Sequence, residues 1–359
     1  MNYSETNYRK IGIVAAVAIA IAAMMIPGAS LASTAYAHGG KISHSGNVHQ
    51  SISKSNDISS SNSGSGGSSH ADRNSQSNSA SNSADVSVHN GGNDKKSVDS
   101  GSYHKKGDHK SGDKISHSGN VHQDVSQSNS ISATNSGDGG TATANDNTQT
   151  NDAHNTATVD INNGGQGSYK GGSGDKISHS GNVHQDVSQS NSISATNSGD
   201  GGTATANDNT QTNTATNTAS VDISNGGQGG GSGDKISHSG NVHQSIDQTN
   251  SISATNTGSG GTADASGNTQ TNTATNTASV DISNGGNNAV WQGDQNSGGS
   301  ISHSGNVDQS ITQTNSISAT NSPPPTTPGG PVLPTSATAN DNTQTNTANN
   351  NATVSISNN

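Results

Sequence analysis

Between residues 177 and 197 the chain alternates with period two. One set of positions holds Ile177, His179, Gly181, Val183, Gln185, Val187, Gln189, Asn191, Ile193, Ala195 and Asn197. The positions between are mostly serine, with Asn182, His184, Asp186 and Thr196 among them. Successive side chains leave a β-strand on opposite faces, so the pattern predicts a continuous strand with one buried face. Related stretches begin at Ile42, Ile115, Ile236 and Ile301, which makes five repeats. A second alternating stretch follows each. In the third repeat it sets Asn209, Gln211, Asn213, Ala215, Asn217, Ala219, Val221 and Ile223 against Thr210, Thr212, Thr214, Thr216, Thr218 and Ser220.

The two stretches share a Gln-Ser/Thr-Asn core whose glutamines, such as Gln189 and Gln211, stand 22 residues apart. Lys54 and Gln76 keep that spacing; Gln313 and Gln344 lie 31 apart because of a proline-rich insertion at 322–334. A register kept this closely predicts an inward ladder of Gln127, Asn129, Gln149, Gln189, Asn191, Gln211, Asn213, Gln248, Asn250, Gln270 and Asn272, each stacked on its equivalent in the next repeat. The expected fold is all-β, a repetitive β-solenoid or stacked β-arch. It has five repeats of about 60 residues, Gly-rich turns and partly disordered linkers. The repeats are placed at 38–89, 114–175, 176–234, 235–299 and 300–359, with a Lys/His-rich linker at 90–113 and a Pro-rich loop at 322–334.

Composition sharpens this. Each repeat holds about six large aliphatics, for example Ile115, Val121, Val125, Ile131, Val159 and Ile161, too few for a conventional oily core to offset chain entropy. Cysteine and phenylalanine are absent. Backbone ladders and stacked amides must therefore supply much of the cohesion. The net charge of −11 argues against a nucleic-acid partner. At 1–37, Arg9 and Lys10 precede an apolar run ending in Ala35, Tyr36 and Ala37, the pattern of a cleaved secretory signal. The run is too short for a comfortable span, so the mature chain is expected outside the cell or on its surface, with no membrane segment.

Candidate chemistry is sparse. Ser, His and Asp are so abundant that chance triads mean little, and five diluted copies do not make an active site; an enzyme and a cofactor are not expected. His44, His117, His179, His238 and His303 share one register and are the candidate metal ligands, with stacked neutral imidazoles as the plainer reading. His49, His122, His184 and His243 share a second register, which Asp308 occupies in repeat five. On a continuous strand the two sets point to opposite faces. A flat threonine face is formed by Thr210, Thr212, Thr214, Thr216 and Thr218 with Thr269, Thr271, Thr273, Thr275 and Thr277.

These alternating Gln/Asn/Ala/Val repeats resemble those of curlin-type functional amyloids, with Gln189, Asn191, Ala195, Gln211 and Asn217 similar to that family's internal ladder. The resemblance implies a self-assembling extracellular fibre or matrix component, or a surface adhesin subunit. Its main partner would be further copies of itself, with surface polysaccharide or other matrix material as a second class. The alternatives are an ice-binding β-solenoid using the threonine face, a disordered polar surface stalk, and a metal-binding surface protein.

Overall fold

The computed structural model describes residues 22–23, 29–37, 41–63, 66–91, 113–164, 175–226, 234–285, 299–323 and 334–358. Most of the expected linker at 90–113 and of the Pro-rich loop lies outside them. The described residues form a parallel β-solenoid of five coils and no helix. A disordered stalk is not what they form.

One coil shows the plan. In the second, a short strand Lys114–Ser116 leads through a bend into the long strand Val121–Asn135. An arch then leads to a second short strand, Thr141–Thr143, and a second bend to the long strand Thr148–Asn163. Equivalent strands of successive coils pair in parallel and strictly in register, for example Gln189 with Gln127 and Gln248, and Gln211 with Gln149 and Gln270. Four sheets result, two of long strands facing each other and two of short strands.

The long strands alternate as expected: in Val121–Asn135 every odd position is buried and every even one at least partly exposed. Across the interior, Asn129 meets Asn151, with Asn129 Nδ2 donating to Asn151 Oδ1 at 3.1 Å. The 22-residue spacing is thus the chain length that returns one strand's central asparagine to face the other's. Three apolar clusters run the length of the stack, around Ile115, Val121 and Ile161, around Val125 and Ala153, and around Ile131 and Ala142.

The expected continuous strand over 177–197 does not form. His179 takes φ 52° and Gly181 φ 68°, both left-handed, and the chain bends between Ser178 and Val183. The bend breaks the parity: Ser178 and Ser180 turn inward and His179 is exposed. Glycine at 181 has two causes. Its φ disfavours a side chain, and an added Cβ would lie 3.0 Å from Ile161 Cδ1 and 3.1 Å from Ile223 Cδ1. The bend also stacks between coils, where His117 N donates to the Ser178 carbonyl at 3.0 Å and Asn182 N to Asn120 Oδ1 at 3.0 Å.

A further finding concerns the segment expected to be a signal. Ala29–Ala37 lies as a parallel strand on the edge of coil one, pairing with residues 82–90 of the long strand Ser75–Asn90. Leu31 and Ala35 continue the apolar column above it.

Candidate functional sites

The inward amides bond in two directions. Across the interior, Gln123 Nε2 donates to the Thr156 carbonyl at 3.0 Å, Gln127 to Asp152 at 3.0 Å and Gln189 to Thr214 at 2.9 Å. A carbonyl has two lone pairs, so the opposite strand can accept these bonds without giving up its ladder. Along the axis, the glutamines donate toward the preceding coil: Gln189 Nε2 to Gln127 Oε1 at 2.9 Å, Gln248 to Gln189 at 2.8 Å, Gln211 to Gln149 at 2.9 Å and Gln270 to Gln211 at 3.0 Å. The asparagines donate the other way: Asn129 Nδ2 to Asn191 Oδ1, Asn191 to Asn250 and Asn213 to Asn272, each at 3.1 Å. The stack therefore has a chemical polarity that strand direction alone does not reveal.

That polarity makes the two ends different. Among the described residues no coil stacks on the outer side of coil five, and Val354 and Ile356 are 44% and 50% exposed there. Gln313 Nε2 reaches back to Gln248 Oε1 at 2.9 Å, whereas no following glutamine among those residues donates to Gln313 Oε1 as Gln313 does to Gln248. At coil one, Asn82 Oδ1 is buried and accepts no hydrogen bond, although Asn155, Asn217, Asn276 and Asn350 all accept at Oδ1 from the asparagine before them. Lys54 replaces glutamine there and donates across to the Ser79 carbonyl, the bond that Gln127 makes to Asp152. An ammonium has three donors and no acceptor, so Lys54 keeps donating capacity to spare. The strand Ala29–Ala37 supplies no side-chain amide to this edge, and its Ser33 Oγ is buried without a partner.

The outward faces carry the other candidates. The first-register histidines stack with ring centroids 4.8–5.0 Å apart and planes within 2°. They sit at the left-handed bend position, and His117 is pushed below the usual histidine pKa, first by partial desolvation and then by His179, His44, Lys114 and Lys41. The second-register histidines stack at 4.6–4.8 Å and have carboxylates beside them. His122 Nε2 lies 3.0 Å from Asp124 Oδ2 and His184 Nε2 2.9 Å from Asp186 Oδ2. Among the described residues, sets of three ligand groups come together at this second register and not at the first. A His-x-Asp signal on one strand face was readable in the sequence, because period two puts both side chains on the same side.

The ten threonines lie half-buried on one outward face, Thr210 to Thr218 in register with Thr269 to Thr277. Asp152 and His154 interrupt the array in coil two, and Asn349 and Asn351 in coil five. At the coil entry, Asp175 is raised to about 6 by burial and by Asp113 and Asp234, against the lowering effect of the Asp113 backbone N–H. No known protein family, curated protein or solved structure matches this chain.

Proposed function

We propose that the chain is a structural subunit, secreted and then stacked head to tail into an extracellular fibre, coil five of one copy seating on coil one of the next. The observation that carries this reading is the end complementarity. Coil one has a buried asparagine acceptor without a donor and a lysine with donors to spare; coil five offers Gln313 Oε1 and the second N–H of Asn350 Nδ2, whose first donates to the Gln309 carbonyl at 3.3 Å. A head-to-tail contact between unlike surfaces does not close on itself and extends into a filament. Unpaired strand edges add backbone bonds to the same junction.

Cleavage after Ala37 is the trigger in this reading. The strand Ala29–Ala37 covers part of the receiving edge while leaving Asn82 Oδ1 unmet, so its removal exchanges a poor partner for a matching coil. Sedimentation of residues 38–359 beside the full chain tests this. The shortened chain should form large polymers at micromolar concentration and the full chain should not. Lys54→Glu should block polymerisation, whereas Lys54→Gln should permit it. A monomeric 38–359, or a Lys54→Glu chain that polymerises normally, refutes the proposal.

A second reading, ice binding, is favoured by the two in-register ranks of five threonines. Thermal hysteresis from the monomer, abolished by Thr214→Lys, would support it.

A further inference from the structure

The second histidine ladder has a composition that an imidazole stack alone does not need. Four histidines, His49, His122, His184 and His243, occur in successive coils, but an aspartate two residues on occurs only in coils two and three, as Asp124 and Asp186. Coils one and four carry Ser51 and Ser245 there. The result is two groups of three, His49 with His122 and Asp124, and His184 with Asp186 and His243, and no member is shared. Within each group the ligand atoms all lie within 4.8 Å of one another.

Two further observations point the same way. Asp124 Oδ1 and Asp186 Oδ1 are buried atoms with no hydrogen-bond partner, while the second oxygen of each bonds its histidine. A surface His–Asp pair formed for its own sake contributes little and does not explain a desolvated, unmet carboxylate oxygen. The ladder also borders an open groove of about 550 Å³, lined as well by a rail of Asn47, Asn120, Asn182, Asn241 and Asn306. That rail is braced, since Asn120 Nδ2 bonds the His179 carbonyl at 3.2 Å and Asn120 Oδ1 takes the Asn182 N–H at 3.0 Å.

We propose that each group binds one divalent transition-metal ion of the zinc type, two ions per chain. Two imidazoles and one carboxylate match the three-ligand sets such ions accept, with the fourth position left to water or an outside ligand. The ion would take the place of the proton held between Nε2 and Oδ2. Stacked imidazoles aim their nitrogens in parallel, so binding requires the half-exposed rings to rotate toward each other. The sites bridge coils one to two and three to four, so occupation would clamp neighbouring coils.

Calorimetric titration of the untagged chain with Zn²⁺ tests the assignment. Two ions of the tighter class should bind. Asp124→Asn with Asp186→Asn should weaken them by about tenfold or more with an unchanged far-ultraviolet circular dichroism spectrum. His117→Gln, His179→Gln and His238→Gln together should leave number and affinity unchanged. X-ray absorption of the loaded chain should show two imidazole nitrogens in the first coordination sphere. The proposal is overturned if no stoichiometric binding occurs, if the Asp variants bind as the parent does, or if the first-register variant loses the ions.

Discussion

Coils four and five carry the same apolar pair at the same register, Val280 and Ile282 in one, Val354 and Ile356 in the other. Ile282 is fully buried, while Ile356 is 50% exposed. The side chains are identical and the strands equally paired on one side; what differs is whether another coil follows. Burial in this molecule is a property of the neighbour more than of the coil, as expected for a chain whose units touch only the units beside them. The glutamine ladders show the same contrast, each interior glutamine donating to the one before it, while Asn147 Nδ2 and Asn268 Nδ2 are unmet even inside the stack.

Substitutions show how far burial depends on the neighbouring coil. The largest effect is expected for Gln211→Lys, which puts a charge at a fully buried position between Gln149 and Gln270. The loss should be about 4 kcal/mol or more, enough to melt the local coils. Thr212→Lys, one residue away on the outward face, should cost under about 0.5 kcal/mol in the same urea titration. Equal effects would overturn the assigned register.

Ile282→Ala and Ile356→Ala probe the interior coil and the end coil at one register. In the monomer the first should cost about 3 kcal/mol and the second less than half of that, because only the first leaves a cavity between coils. In polymerised protein the two should converge, since coil five is then interior. Denaturant midpoints before and after assembly measure both. Gly181→Ala follows at about 1–2 kcal/mol, from a left-handed φ and a close contact with Ile161 and Ile223.

The smallest effects concern pH, and two oppose each other. His117 is depressed in the fold, so the unfolded chain takes up its proton first and stability falls as pH drops through about 6.5. Asp175 is raised to about 6, so the folded chain takes up its proton first and stability rises as pH falls from about 6 toward 4. His117→Gln should remove the first slope. Asp175→Asn should remove the second and stabilise the fold at neutral pH. Thermal melts across this range separate them.

The sequence made the long strands legible because period two and the 22-residue spacing follow from backbone geometry alone. It hid the bend at His179, since parity says nothing about where a strand stops and a histidine at positive φ carries no strong signal; Gly181 and Asn182 beside it were the available hint. It also hid the polarity of the amide ladders. Asparagine and glutamine differ by one methylene, and the direction each amide faces emerges only when both sheets are in place. The carboxylates beside His122 and His184 were legible, because period two puts Asp124 and Asp186 on the same strand face; which neighbouring imidazole completes each group emerges only once the coils are stacked.

In the proposed fibre, one chain's coil five continues into another's coil one as though the solenoid were unbroken. Fibre diffraction from assembled 38–359 tests it most directly. An unbroken stack gives a meridional reflection near the strand spacing of about 4.8 Å and an axial repeat of about 24 Å, five coil rises with no gap at the junction. An axial repeat clearly longer than five rises, or filaments built by side-to-side packing with no 4.8 Å meridional order, would contradict it.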